Sequence, residues 1–461
     1  MFDSLDLTAE ERSHLMDLVT AFADQYLVEL SDAPASWPEV EPAAVASLGA
    51  PPTENGAPLD ELLRKVSVAL ATGINTASGK FLSYIPSGGI YSAAAGRLLG
   101  AVLNRYTGGS HGAPGLIALE QGVVRWMCDI FDLPDAASGV LFSGGSTANL
   151  TATIAARSRL GDDFSKGVVY TSERAHHSVT KSARMAGIHP DQIRSVPVDG
   201  DLRLDVPALR AAIESDHDAG LEPMLIAATG GTTDTGTIDP LEECAEIASD
   251  AGAWFHVDAA YGGFFALTSR GKERLTGIAL ADSITVDAHK SLFLPFGVGG
   301  LLVRNEASLM NALDGRGAYM QDVPDHASAI PNYFAMGPEL TRPARGLEAW
   351  LALHLHGVDA FRAELDRMID LAEWSAAELE RIDGITIATQ PELSIVAFRA
   401  SAGNEATRRI FASMNASRQV HVSSTTIRDH FCVRLAFLSQ RTTEDVATTA
   451  LDLVREALAA G

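Results

Sequence analysis

From about residue 81 to 305 the chain alternates short, unbroken apolar runs with longer stretches of helical periodicity. The runs 139–142, 167–171, 224–228, 254–257, 283–286 and 299–303 are of strand length, and most of them are continuous in apolar residues. That pattern predicts strands buried on both faces. Between them lie helical runs such as 146–160, which Gly161 stops, and 206–214. Continuous apolar strands alternating with helices predict a mostly parallel α/β sheet with helices on both faces. Ligands on such sheets bind at the carboxyl ends of the strands.

The flanking segments read differently. Thr8 and Glu11 form a capping box ahead of a helix running to about Leu30, with Leu15, Leu18, Val19, Phe22 and Leu27 along one stripe. A Pro-rich arm and a second helix over 59–71 follow. These pieces do not bury their own apolar faces and call for another surface, such as a second subunit. After Pro343 come a helix-rich stretch to about Ile382, strand-like runs at 393–399 and 431–438, and a last helix at 444–459, the makings of a smaller α+β lobe. The expected division is an N-terminal helical arm (1–76), a large cofactor-binding domain (77–355) and a small C-terminal domain (356–461).

Composition narrows the partners. The chain has 461 residues, 46% of them hydrophobic, ample for a large core. A net charge of −24 argues against nucleic acid or an anionic membrane as partner. Cys128, Cys244 and Cys432 are far apart with no CxxC spacing, so neither a disulfide framework nor a metal site is expected. An acidic N-terminus and the lack of any membrane-length apolar run give cytoplasmic as the expected location.

Chemistry gathers at the ends of the expected strands. Lys290 closes Ser283-Ile284-Thr285-Val286-Asp287-Ala288-His289-Lys290, and Asp258 stands in His256-Val257-Asp258-Ala259-Ala260-Tyr261. A lysine amine suits a Schiff base with an aldehyde, and a buried carboxylate suits a protonated ring nitrogen. Together they fit pyridoxal 5'-phosphate. For either residue alone, an ordinary strand-end side chain is the simpler reading. Gly144-Gly145-Ser146-Thr147, between a strand and a helix, can bring backbone N–H groups close to a phosphate, or simply make a turn. His176, in Ala175-His176-His177-Ser178, follows another strand and can stack on a planar cofactor. The loop Gly230-Gly231-Thr232-Thr233 can bring a hydroxyl to the ring substituents. What favours chemistry is the occurrence of all five segments in order on successive strands.

These segments resemble the group II pyridoxal-phosphate-dependent amino acid decarboxylases, which include aromatic-L-amino-acid, glutamate and diaminobutyrate decarboxylases. The resemblance covers nearly the whole chain and implies a type I aminotransferase-like fold and a homodimer with the active site at the subunit interface. It implies that Lys290 binds the cofactor aldehyde, Asp258 the ring nitrogen, and that His176 and Ala260 take the two ring faces. Gly144, Gly145 and Ser146 would hold the phosphate with Asp287 and His289 nearby, and Thr232 would sit near the ring hydroxyl or Asp258. A loop tyrosine that protonates the α-carbon maps to Tyr333, with Tyr319 its rival. Tyr84 and Pro86 would line the substrate pocket. Two departures are Ser291, where the family usually has an aromatic residue after the lysine, and the segment 80–89, which keeps only part of the aromatic enzymes' pattern. The implied activity is decarboxylation of an L-amino acid, aromatic or bulky apolar side chains favoured, to the amine and carbon dioxide. The alternatives are an aldehyde synthase coupling decarboxylation to oxidative deamination, another lyase, or a catalytically silent regulatory protein that binds the cofactor.

Overall fold

The computed structural model describes residues 4–85, 87–315 and 330–460. Twelve strands are described. Numbered in chain order, they are β1 (Phe81–Leu82), β2 (Ser138–Phe142), β3 (Gly167–Ser172), β4 (Ile193–Val196), β5 (Glu222–Thr229), β6 (Trp254–Asp258), β7 (Ser283–Val286), β8 (Gly299–Val303), β9 (Ile385–Thr389), β10 (Ile395–Ala400), β11 (His421–Ile427) and β12 (His430–Ala436). β2 to β8 form a seven-stranded sheet in the order β2-β8-β7-β6-β5-β3-β4, in which β8 alone runs against its neighbours.

Strand burial shows why the apolar runs are unbroken. Leu225, Ala227, Trp254 and Leu301 belong to one apolar cluster, with Ala148, Ala152 and Ala155 of the Gly145–Ser158 helix. Their alternates Ile226, Ala228, Phe255 and Leu302 belong to another, with Cys244 and Ile247 of the Leu241–Ala251 helix. Each strand is covered on both sides, so neither face selects polar residues. The mostly parallel α/β sheet with helices on both faces that the sequence predicts is the one found.

β1 and β9 to β12 form a second sheet, β1-β11-β12-β10-β9, backed by the Val358–Glu380, Asn404–Ser417 and Glu444–Ala459 helices. Its first strand, Phe81–Leu82, pairs in parallel with His421 and Val422 and ties the start of the large-sheet region to the smaller sheet. The Ala9–Glu29 helix begins at the expected capping box, with Thr8 and Glu11 bonded reciprocally, yet none of its residues is buried. The Pro-rich arm carries a short helix, Pro42–Leu48, opened by its first proline.

Register brings the chemistry to one level. Thr229 pairs with Asp258 and Asp258 with Thr285, so β5, β6 and β7 end side by side. β7 runs directly into Asp287 and the short turn of helix Ala288–Ser291 that carries Lys290.

Candidate active site

A cavity of about 350 Å³ opens at these strand ends. Lys290, Asp258, His176, Ala260, Asp287, His289 and the run Ser143–Thr147 all line it. The lysine and the aspartate singled out from sequence therefore face one space.

The Lys290 amine lies 3.0 Å from Asp287 Oδ2. Asp287 is buried, and its Oδ1 has no hydrogen-bond partner. His289 Nδ1 is held 2.9 Å from the Val298 carbonyl. The close packing here demands glycine: a Cβ on Gly299 would lie 2.2 Å from Asp287 Oδ1. A Cβ on Gly145 would lie 3.1 Å from both Ala260 Cβ and Asp287 Oδ2. Gly144 precedes the Gly145–Ser158 helix without any side-chain cap, which leaves the helix N-terminus, a natural anion site, facing the cavity. The Ser291 hydroxyl donates to the Tyr261 carbonyl (2.8 Å), so the departure from an aromatic residue fills a buried packing position.

Asp258 is buried at the end of β6, and both oxygens accept N–H bonds, from Asn149 Nδ2 (2.8 Å) and the Ala260 backbone (3.2 Å). His176 caps the His177–Met185 helix, its Nδ1 accepting from the Ser178 backbone at 3.3 Å. Burial pushes the His176 imidazole below its ordinary value, with Asp258 opposing and Lys290 adding to the shift.

Not every expected residue reaches the cavity. Thr232 turns inward: its hydroxyl bonds Thr235 Oγ1 (2.9 Å) and accepts from the Thr237 backbone (3.1 Å). The loop closes on itself through a Gly230–Ile238 bridge, and Thr229, Gly231 and Thr233 line the cavity instead. Tyr333 is only 2% exposed, packed in the second core cluster with its ring under the Arg342 guanidinium, 4.6 Å away. Arg342 in turn pairs with buried Glu120 at 2.6 Å. The position expected for the loop tyrosine thus holds a packing residue in this conformation. Tyr319 and Pro86 lie outside the described residues. Tyr84 adopts φ 52° and lines an adjoining cavity with Arg174, His177, Asp234 and Arg434. Arg434, 3% exposed, donates to the carbonyls of Tyr84, Thr233 and Asp234 and to Ser423 Oγ, binding the smaller sheet to the rim of the site.

Four residues passed over in the sequence are bonded into the site: Asn149, Ser178, His256 and Ser283. A signal existed for His256. It stands two residues before Asp258 on a strand and so shares its face.

The contents fit pyridoxal phosphate. An amine and a carboxylate face one cavity, an uncapped helix N-terminus suits a phosphate, and the Thr229 hydroxyl beside them is buried without a partner. Comparison with known proteins agrees. Residues 47–401 match the pyridoxal-dependent decarboxylase conserved domain. The chain is 31% identical to an aromatic-L-amino-acid decarboxylase of Bacillus atrophaeus, across 96% of this chain and 95% of that one. It is 35% identical to an L-2,4-diaminobutyrate decarboxylase of Rhizobium meliloti, across 75% and 70%. The structure of Oryza sativa TDC with PLP and tryptamine superposes with a TM-score of 0.94 at 26% identity, covering 100% and 99%. Among the described residues no helix is long and apolar enough to cross a membrane.

Proposed function

The chain belongs to the pyridoxal-dependent decarboxylase family and is a pyridoxal-phosphate-dependent amino acid decarboxylase; we propose that its substrate is an L-amino acid with an aromatic or bulky apolar side chain. The observation that carries a decarboxylase reading is the shared cavity of Lys290 and Asp258. Support for the side chain comes from the Bacillus atrophaeus relative, matched over nearly the full length of both chains.

When bound, pyridoxal phosphate supplies an electron-accepting ring that lets the bond from the α-carbon to its carboxylate break. In this reading Lys290 would supply the amine that anchors the cofactor aldehyde. Asp258 supplies the negative charge that balances a protonated ring. The helix N-terminus at Gly145, with the Ser146 hydroxyl, takes the phosphate. His176 and Ala260 bound the ring, and burial in the cavity excludes water from the departing carboxylate. Tyr84, on the adjoining cavity, would meet the substrate side chain. A homodimer sharing this site is part of the proposal: no residue of the Ala9–Glu29 helix is buried by its own chain.

A second reading, a cationic side chain such as that of L-2,4-diaminobutyrate, draws on the Rhizobium meliloti relative and on Glu173 and Asp234 beside the adjoining cavity. The test is turnover of the holoenzyme with the twenty amino acids and L-2,4-diaminobutyrate, following carbon dioxide, amine, aldehyde and peroxide. The proposal requires kcat/KM for tryptophan, tyrosine or phenylalanine to exceed that for diaminobutyrate by about a hundredfold. The reverse order establishes the second reading. Aldehyde with peroxide and ammonia identifies an aldehyde synthase, and absence of carbon dioxide with every substrate points to a regulatory protein.

A further inference from the structure

Along the wall of the cavity runs a continuous chain of buried hydrogen bonds whose direction is fixed from its carboxylate. The Trp254 indole N–H donates to Ser283 Oγ at 2.8 Å. The same oxygen lies 2.8 Å from His256 Nδ1, and His256 Nε2 lies 3.1 Å from Asn149 Oδ1. The Asn149 amide nitrogen then donates twice, to Asp258 Oδ2 (2.8 Å) and to Ser178 Oγ (2.9 Å). Ser178 Oγ is 2.7 Å from His176 Nδ1.

A carboxylate can only accept, so the Asn149 amide nitrogen donates, its carbonyl accepts and His256 Nε2 carries a proton; with the ring neutral, His256 Nδ1 is left to accept. Ser283 accepts from Trp254 and gives its proton to His256 Nδ1. His256 therefore carries its proton on Nε2 and donates to the Asn149 carbonyl. Asn149 spends both amide hydrogens, on Asp258 and on Ser178. Ser178 then donates its hydroxyl proton to His176 Nδ1, which also accepts the Ser178 backbone N–H at 3.3 Å. With Nδ1 accepting twice, the neutral His176 ring carries its proton on Nε2. Burial pushes His256 down to about 4 and lowers His176 as well, which keeps both rings neutral near pH 7.

We propose that Asn149 is the positioning residue that couples the two cofactor-facing groups: one side-chain amide holds Asp258 in place and, through Ser178, presents His176 to the cavity as an Nε2–H hydrogen-bond donor. In this state His176 offers an anion, such as a substrate carboxylate, an N–H group and not a lone pair. Asn149 lines the cavity too, but its side-chain bonds go to the ring's partners. This coupling matters to catalysis only if Asp258 and His176 face the cofactor as proposed above.

The test has two readouts besides turnover. Histidine-labelled protein without cofactor, examined by 15N NMR with His176→Asn for assignment, reports which ring nitrogen is protonated. Cofactor titration followed by tryptophan fluorescence reports affinity. Wild type should show His176 protonated on Nε2 alone, and Asn149→Ala and Ser178→Ala should both show mixed tautomers. Asn149→Ala should also weaken pyridoxal phosphate binding by about tenfold or more, the loss expected for a hydrogen bond to a charged group. Ser178→Ala cuts only the His176 branch, so its affinity should stay within about threefold of wild type. Should Asn149→Ala not fold, Ser178→Ala still decides: an unchanged His176 tautomer overturns the coupling. Asp258→Ala separates the two levels. Wild-type cofactor affinity in Asp258→Ala overturns the underlying site reading, whereas weak binding there with wild-type affinity in Asn149→Ala overturns the coupling alone.

Discussion

At the scale of single residues, chemistry and packing separate cleanly. Lys290 is only partly buried and, among the described residues, makes one ion pair, with Asp287, so Lys290→Ala should keep the wild-type circular dichroism spectrum. Borohydride reduction followed by mass spectrometry should then find no cofactor attached to the chain, against one per subunit in wild type. Tyr333 is the opposite case. Its ring sits beneath Arg342, and burial drives its hydroxyl well above the ordinary phenol value, with Glu120 reinforcing and Arg342 opposing that shift. A phenol held there does not reach a reacting carbon, so Tyr333→Phe should retain amine formation within about threefold of wild type. A fall of about a hundredfold or more would return Tyr333 to the role that its spacing suggested. Arg342 should matter far more to stability. It donates to Glu120 and to the Leu141 carbonyl, and both charged side chains are at most 2% exposed. Arg342→Ala strands a buried carboxylate and should cost about 3–5 kcal/mol in urea unfolding, much of it recovered when Glu120→Leu is added to Arg342→Met. These contrasts show how far residue-level reading carries. Lys290, Asp258, His176, Gly145 and Ala260 were legible as neighbours because each sits in a dense local motif at a strand end, and all five line one cavity. Thr232 and Tyr333 do not reach the cavity because loops set their own direction: the first bonds back across its turn, and the second packs beneath Arg342.

At the scale of elements, the strands that were legible are those buried on both faces. β4 was not: Ile193, Arg194 and Ser195 lie at a sheet edge and carry no unbroken apolar run. β9 and β11 were hidden for a related reason, since Thr386, Thr389, Ser424 and Thr425 are only partly covered. β6 joins structure to site most directly, because His256 and Asp258 share the face on which the Gly145–Ser158 helix packs. This pairing gives the element a pH signature. His256, pushed down to about 4 chiefly by burial, is ordinarily near 6.5 in an unfolded chain. Between those values the unfolded chain binds a proton that the folded chain refuses, so stability falls as pH falls from about 6.5 toward 4. Buried Asp239, pushed up to about 6 by desolvation against N–H bonds from Leu204 and Thr229, tilts the other way: the folded chain holds the proton, and stability falls as pH rises through that range. The two partly cancel in wild type. His256→Gln removes one of them, so the difference in unfolding free energy, wild type minus variant, should rise with pH between 4 and 6.5. A pH-independent difference would mean that His256 is not buried neutral.

At the scale of the whole molecule, the N-terminal arm is anchored but not covered. Leu30 and Ala35 are buried, Ala35 N donates to the Arg418 carbonyl, and the Lys80 ammonium donates to the Ala33 carbonyl, so the arm is pinned beside the smaller sheet. Beyond that anchor the 21-residue Ala9–Glu29 helix buries no residue, and the Leu59–Leu70 helix, strongly amphipathic, buries none either. Leu62, Val66 and Leu70 are exposed, as are Leu98, Leu99, Val102 and Leu103 on the Tyr91–Leu103 helix. A chain with a net charge of −24 repels its copies at long range. Stable association must therefore come from short-range burial of this apolar surface, which also dictates how it responds to salt. If the arm is the dimer contact, wild type should sediment as a dimer at micromolar concentration, and added salt should tighten it by screening like charge while leaving apolar burial intact. Deleting residues 1–32 should yield a monomer whose cofactor affinity falls together with its association. A deletion that still sediments as a dimer would move the subunit contact elsewhere, and a dimer weakened by salt would mean that ion pairs, not apolar faces, hold the copies together.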